Sequence, residues 1–299
     1  MLSEMDPTAP LTPSGNLRRR IAVSRLMTAA AIASAVIAVA ALAIVVFAVA
    51  SRGAPAISLG FLTHDPPQFG GPGGGIASAI VGTTLIVAIA AAMATPLGVL
   101  TALYLSEYAR PRSRAAQMIR MALDLMQGLP SIIVGVVVFG LIVNPEHRES
   151  GFAGSVALAI IMLPLIARSG QEVLLLVPQN LREAADALGV RRWRSILGIV
   201  LPSALPGIVT GTILSIARAA GETAPLLILS GLFMPGTTFN LFGQAVPNIP
   251  MLIFNASEAA DPTGFARAWG AALVLLVIIL IANIGARVLL ARSRARMSG

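Results

Sequence analysis

The sequence predicts an all-α, polytopic membrane protein with six transmembrane helices and both ends on one side of the bilayer. Three observations carry this. The chain is 56% hydrophobic and only 11% charged, a composition suited to burial in lipid. Six stretches are apolar for about the 20 residues that a helix needs to cross a bilayer. The arginines fall almost wholly in alternate connecting segments, as the positive-inside rule requires of one membrane face.

The elements follow in order. Residues 1–25 are expected to be a cytoplasmic tail, disordered over the polar, proline-bearing stretch 1–17. The first span, 26–50, carries no charge. Arg18-Arg19-Arg20, an apolar run and Ala48-Val49-Ala50 have the outline of a secretion signal. Signal cores are about 7–15 residues long, and this run is too long for one. The string Pro66-Pro67-Gln68-Phe69-Gly70-Gly71-Pro72-Gly73-Gly74-Gly75 reads as a flexible external linker. It separates a peripheral first helix and linker (26–75) from a five-span core (76–290). The core spans are 76–105, 125–143, 152–167, 203–233 and 268–286, and residues 291–299 form a second cytoplasmic tail.

Seventeen arginines lie in 18–25, 110–120, 168–194 and 287–296. The intervening segments hold three, Arg52, Arg148 and Arg267, and Arg218 lies inside a span. Both termini are therefore expected in the cytoplasm.

Composition also excludes chemistries. There is no cysteine, so disulfides, Fe–S clusters and thiolate sites are absent. Every one of the 21 basic residues is arginine. Without lysine there is no Walker A loop, and this chain cannot hydrolyse ATP in that way. The glycines at 73–75 follow no buried strand, so they make no nucleotide loop. His64 and His147 are isolated in loops and make a poor metal site; no metal or cofactor is expected. The net charge of +8 is accounted for by membrane topology, with no nucleic-acid partner expected. No HExxH run and no Ser–His pairing within the spans supports an intramembrane enzyme.

The segment between the fourth and fifth spans carries Arg182, Glu183, Asp186, Arg191, Arg192 and Arg194. So charged a stretch belongs in water. Asn180 with Glu183 fits an N-cap with its reciprocal glutamate, and Gly189 fits the position that ends a helix. A short helix is predicted over 181–188, with a second beginning at Arg191. Ala184 and Ala185 allow another surface close to the backbone, Glu183 offers charge, and Trp193 offers area.

Arg218 and Glu222, four residues apart, are expected on one helix face. Gly207, Gly211 and Ser215 continue that face as a small-residue packing stripe. A central arginine costs about 2.5–3.5 kcal/mol on insertion scales, so such residues face the bundle interior or an aqueous path. One reading is a structural ion pair that locks helices. The other is an anion contact, since guanidinium presents a planar fork to oxyanions. Glu222 would then hold Arg218 when the path is empty. Ser131 and Thr223 could add hydroxyls. Asp124 is expected near Arg120 as a surface pair at the inner interface.

The spacing Glu183-Ala184-Ala185, three residues, Gly189, nine residues, Ile199-x-Leu201-Pro202 resembles the signature loop of the membrane subunits of binding-protein-dependent ABC importers. A generic amphipathic loop on lipid has no reason to keep it. The resemblance implies the type I importer permease fold with a cytoplasmic coupling helix. It also implies docking of Glu183, Ala184, Ala185 and Gly189, with Leu201 and Pro202 completing the loop, on a dimer of ATP-binding subunits. The string from Ala217 to Leu226 is similar to the A-type permease subunits of phosphate-specific importers. So are Gly73-Gly74-Gly75-Ile76, Leu129-Pro130-Ser131-Ile132, and Leu163-Pro164 with Arg168. This similarity covers about residues 70–290. It implies phosphate as substrate, a sister permease in a heterodimer, and an external phosphate-binding protein. Rival readings are the same machine for another oxyanion or solute and, more distantly, an autonomous secondary transporter or channel.

Overall fold

A computed structural model describes residues 15–67, 73–110, 113–231, 236–258 and 262–297. The expected tail over 1–14 and the linker core at 68–72 lie outside the described residues. Contacts divide the chain into residues 1–51 and 52–299. From residue 15 the first unit is described as one helix, α1 (Gly15–Gly53), of which Arg52 and Gly53 are counted with the second unit. Its side chains are exposed from 17 to 47, although most are apolar. Such a helix has lipid or protein as its solvent.

The second unit contains α2 (Ala77–Tyr108), α3 (Arg114–Gly128), α4 (Ser131–Glu146) and α5 (Gly151–Leu175). There follow α6 (Gln179–Ala187), α7 (Arg192–Ala220), α8 (Ala224–Leu229), α9 (Ile249–Glu258) and α10 (Pro262–Met297). Among the described residues five helices are long and apolar enough to cross a membrane, and α3 with α4 makes a sixth if counted as one span. Each predicted span therefore has a counterpart, with two corrections.

The third span is not straight: α3 and α4 meet at 103°. Pro130 disfavours helical backbone at the residue before it, and Leu129 is accordingly extended. The fifth span does not run from 203 to 233. α7 stops at Ala220, because Pro225 has no N–H for the Gly221 carbonyl and its ring would collide there. The chain restarts as α8 with that proline in its first turn.

The core is set by α2 and α5. Gly98 lies against Ile166, Gly170 against Ala102, and Gly154 near Ile86. The members of each pair are 68 residues apart, so the two helices run parallel in a constant register. α7 packs antiparallel on α5. Gly207 meets Val173, Gly211 meets Ser169, and Ser215 Oγ donates to the Met162 carbonyl at 3.3 Å. The small-residue stripe read from the sequence is this contact. α10 lies along α7 and α9.

The segment after α8 packs into the bundle at Ala245, Val246, Asn248 and Ile249, which are buried. Ser230 Oγ donates to the Val246 carbonyl and accepts the Val246 N–H, and the Ile249 N–H donates to Thr83 Oγ1 at 2.8 Å. Irregular backbone away from water needs such partners. Residues 232–235 and 259–261 lie outside the description.

One close approach is diagnostic. A Cβ at Gly82 would collide with the Pro247 carbonyl, which is backbone and cannot rotate away. Gly82→Ala is expected to lower stability by about 1–3 kcal/mol. Gly140→Ala, with nothing within 4 Å of its Cβ, should stay within about 0.5 kcal/mol. Thermal unfolding of the detergent-purified protein compares the two.

Candidate functional site

The charged loop gathers where α2 and α5 end and α7 begins. α6 starts at Gln179, two residues before the predicted helix, with Pro178 at its N-cap and no side-chain cap. Asn180 therefore lies in the first turn, and the Asn180–Glu183 capping pair does not form. The far end is as read. Gly189 adopts φ +69, its N–H donates to Asp186, and the Val190 N–H donates to Ala185. This pair of bonds satisfies carbonyls that the helix leaves open.

Glu183, Ala184, Gly189 and Trp193 are exposed. Ala185 is not: it is 2% exposed and faces its own chain, where α6 packs on the first turns of α7. Its small size brings α6 close to α7 and leaves it off the outward surface, contrary to the expected direct docking role. Leu201 and Pro202 belong to α7 itself. The Leu201 N–H bonds back five residues to Ile196. This wide turn precedes Pro202, which can donate no bond.

One buried ion pair escaped the sequence reading. Glu107, in the wide last turn of α2, accepts a two-pronged contact from Arg182 of α6, at 2.8 Å and 3.4 Å. The side chains are 6% and 18% exposed. Arg182 also donates to the carbonyls of Val177 (2.6 Å) and Leu174 (2.9 Å) at the end of α5. Arg192, opening α7, donates to the Glu107 backbone carbonyl and stacks over the Tyr108 ring at 5.5 Å. Breaking such a buried pair from one side costs about 3–5 kcal/mol, because the abandoned charge stays buried. The available signal was Glu107 itself, a lone acid at the end of an apolar run and an unusual residue to bury unpaired. A cleft of about 560 Å³ opens beside these residues and includes Gln179 in its wall.

Asp124 is also placed differently from the reading. Its carboxylate pairs with Arg168 of α5 rather than with Arg120 one turn away. Arg168 donates in addition to the Arg120 carbonyl. Gln127 reaches the Pro164 carbonyl at 3.4 Å. The bend after α3 is thus fastened to α5.

Arg218 lies in the last turn of α7, where cations favour the carbonyl end of the helix. It stands 26 residues beyond Arg192, about 39 Å along the axis, at the end opposite the loop. Glu222 is not on the same helix; it sits in the break between α7 and α8, its N–H donating to the Ala219 carbonyl. Arg218 Nε and Glu222 Oε1 are 3.8 Å apart, with the side chains 65% and 17% exposed in this chain. A pair so open is worth about 0–1 kcal/mol. It does not lock two helices together. Thr223 lies in the same break, its hydroxyl 3.5 Å from the Gly221 carbonyl. Ser131 opens α4 one turn before Gly135, and Gly135 packs on Pro225 of α8. Ser131 and Thr223 therefore start two helices that pack on each other.

Comparison with known proteins follows this geometry. Residues 94–295 match the family described as binding-protein-dependent transport system inner membrane component. The chain is 39% identical to "Phosphate transport system permease protein PstA 1" of Mycobacterium tuberculosis (strain CDC 1551 / Oshkosh). That match covers 93% of this chain and 90% of the relative. It is also 39% identical to "Phosphate transport system permease protein PstA" of Pasteurella multocida (strain Pm70), over 81% of this chain and 85% of the relative. Its fold is similar to that of the MetNI methionine ABC transporter in inward facing conformations. The TM-score there is 0.58 at 16% identity, with 72% and 96% of the two chains covered. It is equally similar to a bacterial alginate ABC transporter in complex with a periplasmic protein bound to an alginate pentasaccharide, with TM-score 0.58 at 17% identity and 90% and 96% covered. The architecture is the type I ABC importer permease fold.

Gly189 tests the loop alone. Its Cβ would meet nothing within 4 Å, so a substitution there acts through the backbone only. Gly189→Val should loosen the loop by about 1–2 kcal/mol and Gly189→Asn by less. Limited proteolysis between residues 179 and 192 reads the difference.

Proposed function

This chain belongs to the family of binding-protein-dependent transport system inner membrane components, and we propose that it is the permease subunit of an ATP-driven importer carrying inorganic phosphate across the plasma membrane. It is a multi-pass membrane protein that performs no bond chemistry. The energy comes from a dimer of ATP-binding subunits docked on α6. A sister permease completes the path, and an external phosphate-binding protein delivers the anion. Both termini are cytoplasmic, which puts the loop on the side where ATP is available.

The observation that carries the reading is a charged, exposed helix rooted on the ends of the transmembrane helices. Glu183 and Ala184 make its outward face, Ala185 seats it on α7, and Gly189 turns the chain back. Such a helix is of no use to an autonomous channel. The phosphate assignment is supported by the 39% identical relatives and by the chemistry of Arg218. A guanidinium offers parallel N–H donors to two oxygens of a phosphate. Glu222, loosely paired with it, neutralises the charge when no anion is present and is displaced at little cost. Thr223 lies in this break, and Ser131 opens the helix whose Gly135 packs on Pro225 just after it. Movement of α6 by the ATPase exposes the path to alternate sides, and Glu222 returning to Arg218 as the anion departs replaces the contact that is lost.

The reading is tested with the whole assembly in proteoliposomes. ATP-driven uptake should favour phosphate over sulfate, molybdate and an organic solute; equal uptake of all four would refute it. Arg218→Ala should cut phosphate uptake about 10- to 100-fold, the worth of one charged hydrogen-bonded contact, while the assembly still forms. Arg218→Lys should recover little, because an ammonium lacks the planar fork. Glu183→Lys should lower the ATPase subunit recovered on co-purification; full recovery would remove Glu183 from the docking face.

A further inference from the structure

We propose that Glu107 is a positioning residue for energy coupling: with Arg182 and Arg192 it forms the strut that carries displacement of α6 into α2, α5 and α7 together. This rests on the reading of α6 as the ATPase-docking helix. The grounds lie in what meets at this residue. Among the described residues, Arg182 is the α6 side chain that hydrogen-bonds to other transmembrane helices. Its four bonds go to the Glu107 carboxylate and to the Leu174 and Val177 carbonyls. Arg192 grips the same residue by its backbone and the neighbouring Tyr108 by its ring. One residue at the tip of α2 is thus held from α6 and from the start of α7, while Arg182 also holds the end of α5.

The chemistry suits force transmission more than stability. An apolar contact slides and leaves the angle between two helices loose. A guanidinium fork on a carboxylate fixes both distance and orientation. Burial of Glu107 and of most of Arg182 limits competition from the water of the adjoining cleft. Beyond the strut, α2 and α5 share a constant register along their length, and α7 interdigitates with α5 through Gly207 and Gly211. A displacement at the strut is therefore passed along packed helices toward the Arg218 end.

The complete assembly, with ATPase and sister subunits, is purified carrying Glu107→Gln, Arg182→Lys, or both. Phosphate uptake and ATP hydrolysis are measured separately in proteoliposomes. The inference expects normal recovery of the ATPase subunit and continued hydrolysis in the Arg182→Lys assembly. Phosphate moved per ATP should fall about 5-fold or more, the lower range of coupling between sites. The double variant should be no worse than the poorer single one, since the two changes remove the same contact. An unchanged ratio in either assembled single variant would overturn the inference. So would a proportional fall of uptake and hydrolysis, additive losses in the double variant, or loss of the ATPase subunit from the Arg182→Lys assembly. Failure of the wild-type assembly to prefer phosphate would refute the substrate reading only. The solute it does carry then replaces phosphate in the ratio, and the strut is judged on its own.

Discussion

The contact between α2 and α5 is the constraint on which the rest of the structure depends. In lipid there is no hydrophobic gain from pressing two apolar helices together, so association relies on close packing. Glycines and alanines supply it. Gly98 admits Ile166, Ala102 fits against Gly170, and Ala90 and Ala94 are buried in the same seam. Two parallel helices held this closely have one register. α7 then docks by its own glycines on the other side of α5, and the segment at 246–249 docks where Gly82 leaves room for backbone. Each later element packs on a surface that the first pair created.

Two of the three arginine–carboxylate pairs among the described residues, Arg182–Glu107 and Arg218–Glu222, are opposites in energetic character. Glu107 is withdrawn from solvent and Arg182 largely so, and their side chains are joined by two hydrogen bonds. Taking both charges out of water is expensive, and their attraction mostly repays that cost. The pair therefore adds little net stability but tolerates only one geometry. Arg218 and Glu222 are separated by 3.8 Å, and the arginine is mostly open in this chain. That pair holds little and can exchange partners. A buried clamp suits a mechanical joint and a loose pair suits an arginine that must change partners. Burial alone, with the same two functional groups, separates the roles.

Pro130 and Pro225 mark where the membrane helices break, whereas Pro96, Pro164 and Pro206 lie inside unbroken ones. An unbonded backbone group in hydrocarbon costs several kcal/mol, so a break is tolerated only where neighbours cover it. Pro130 bends α3 from α4 beside α5, and Gln127 crosses to the Pro164 carbonyl there. Pro225 divides α7 from α8 against Gly135. Pro202 follows the wide turn near the start of α7. Ser131, Glu222 and Thr223, the polar residues proposed for the path, stand at two of these breaks. Helix starts and ends are where polar groups can face one another without interrupting a hydrogen-bonded ladder.

By itself the sequence determined the all-α class, the six apolar stretches, the position of the charged loop, its Gly189 terminus and the small-residue face of α7. Each is a local or periodic property: length of apolar run, spacing of glycines, a backbone angle that only glycine takes easily. The sequence also isolated Arg218 and Glu222 as charges within an apolar stretch, but put them on one continuous helix, because a single proline does not announce whether a helix bends or stops. Only the tertiary structure decided what lies far apart in the chain. It paired Glu107 with Arg182 across 75 residues and Asp124 with Arg168 rather than Arg120. It turned Ala185 inward and drew the segment near Asn248 into the core. Those choices depend on which helix ends reach the same place, and that follows from the register of α2 on α5, a property of packed surfaces that no stretch of residues carries alone.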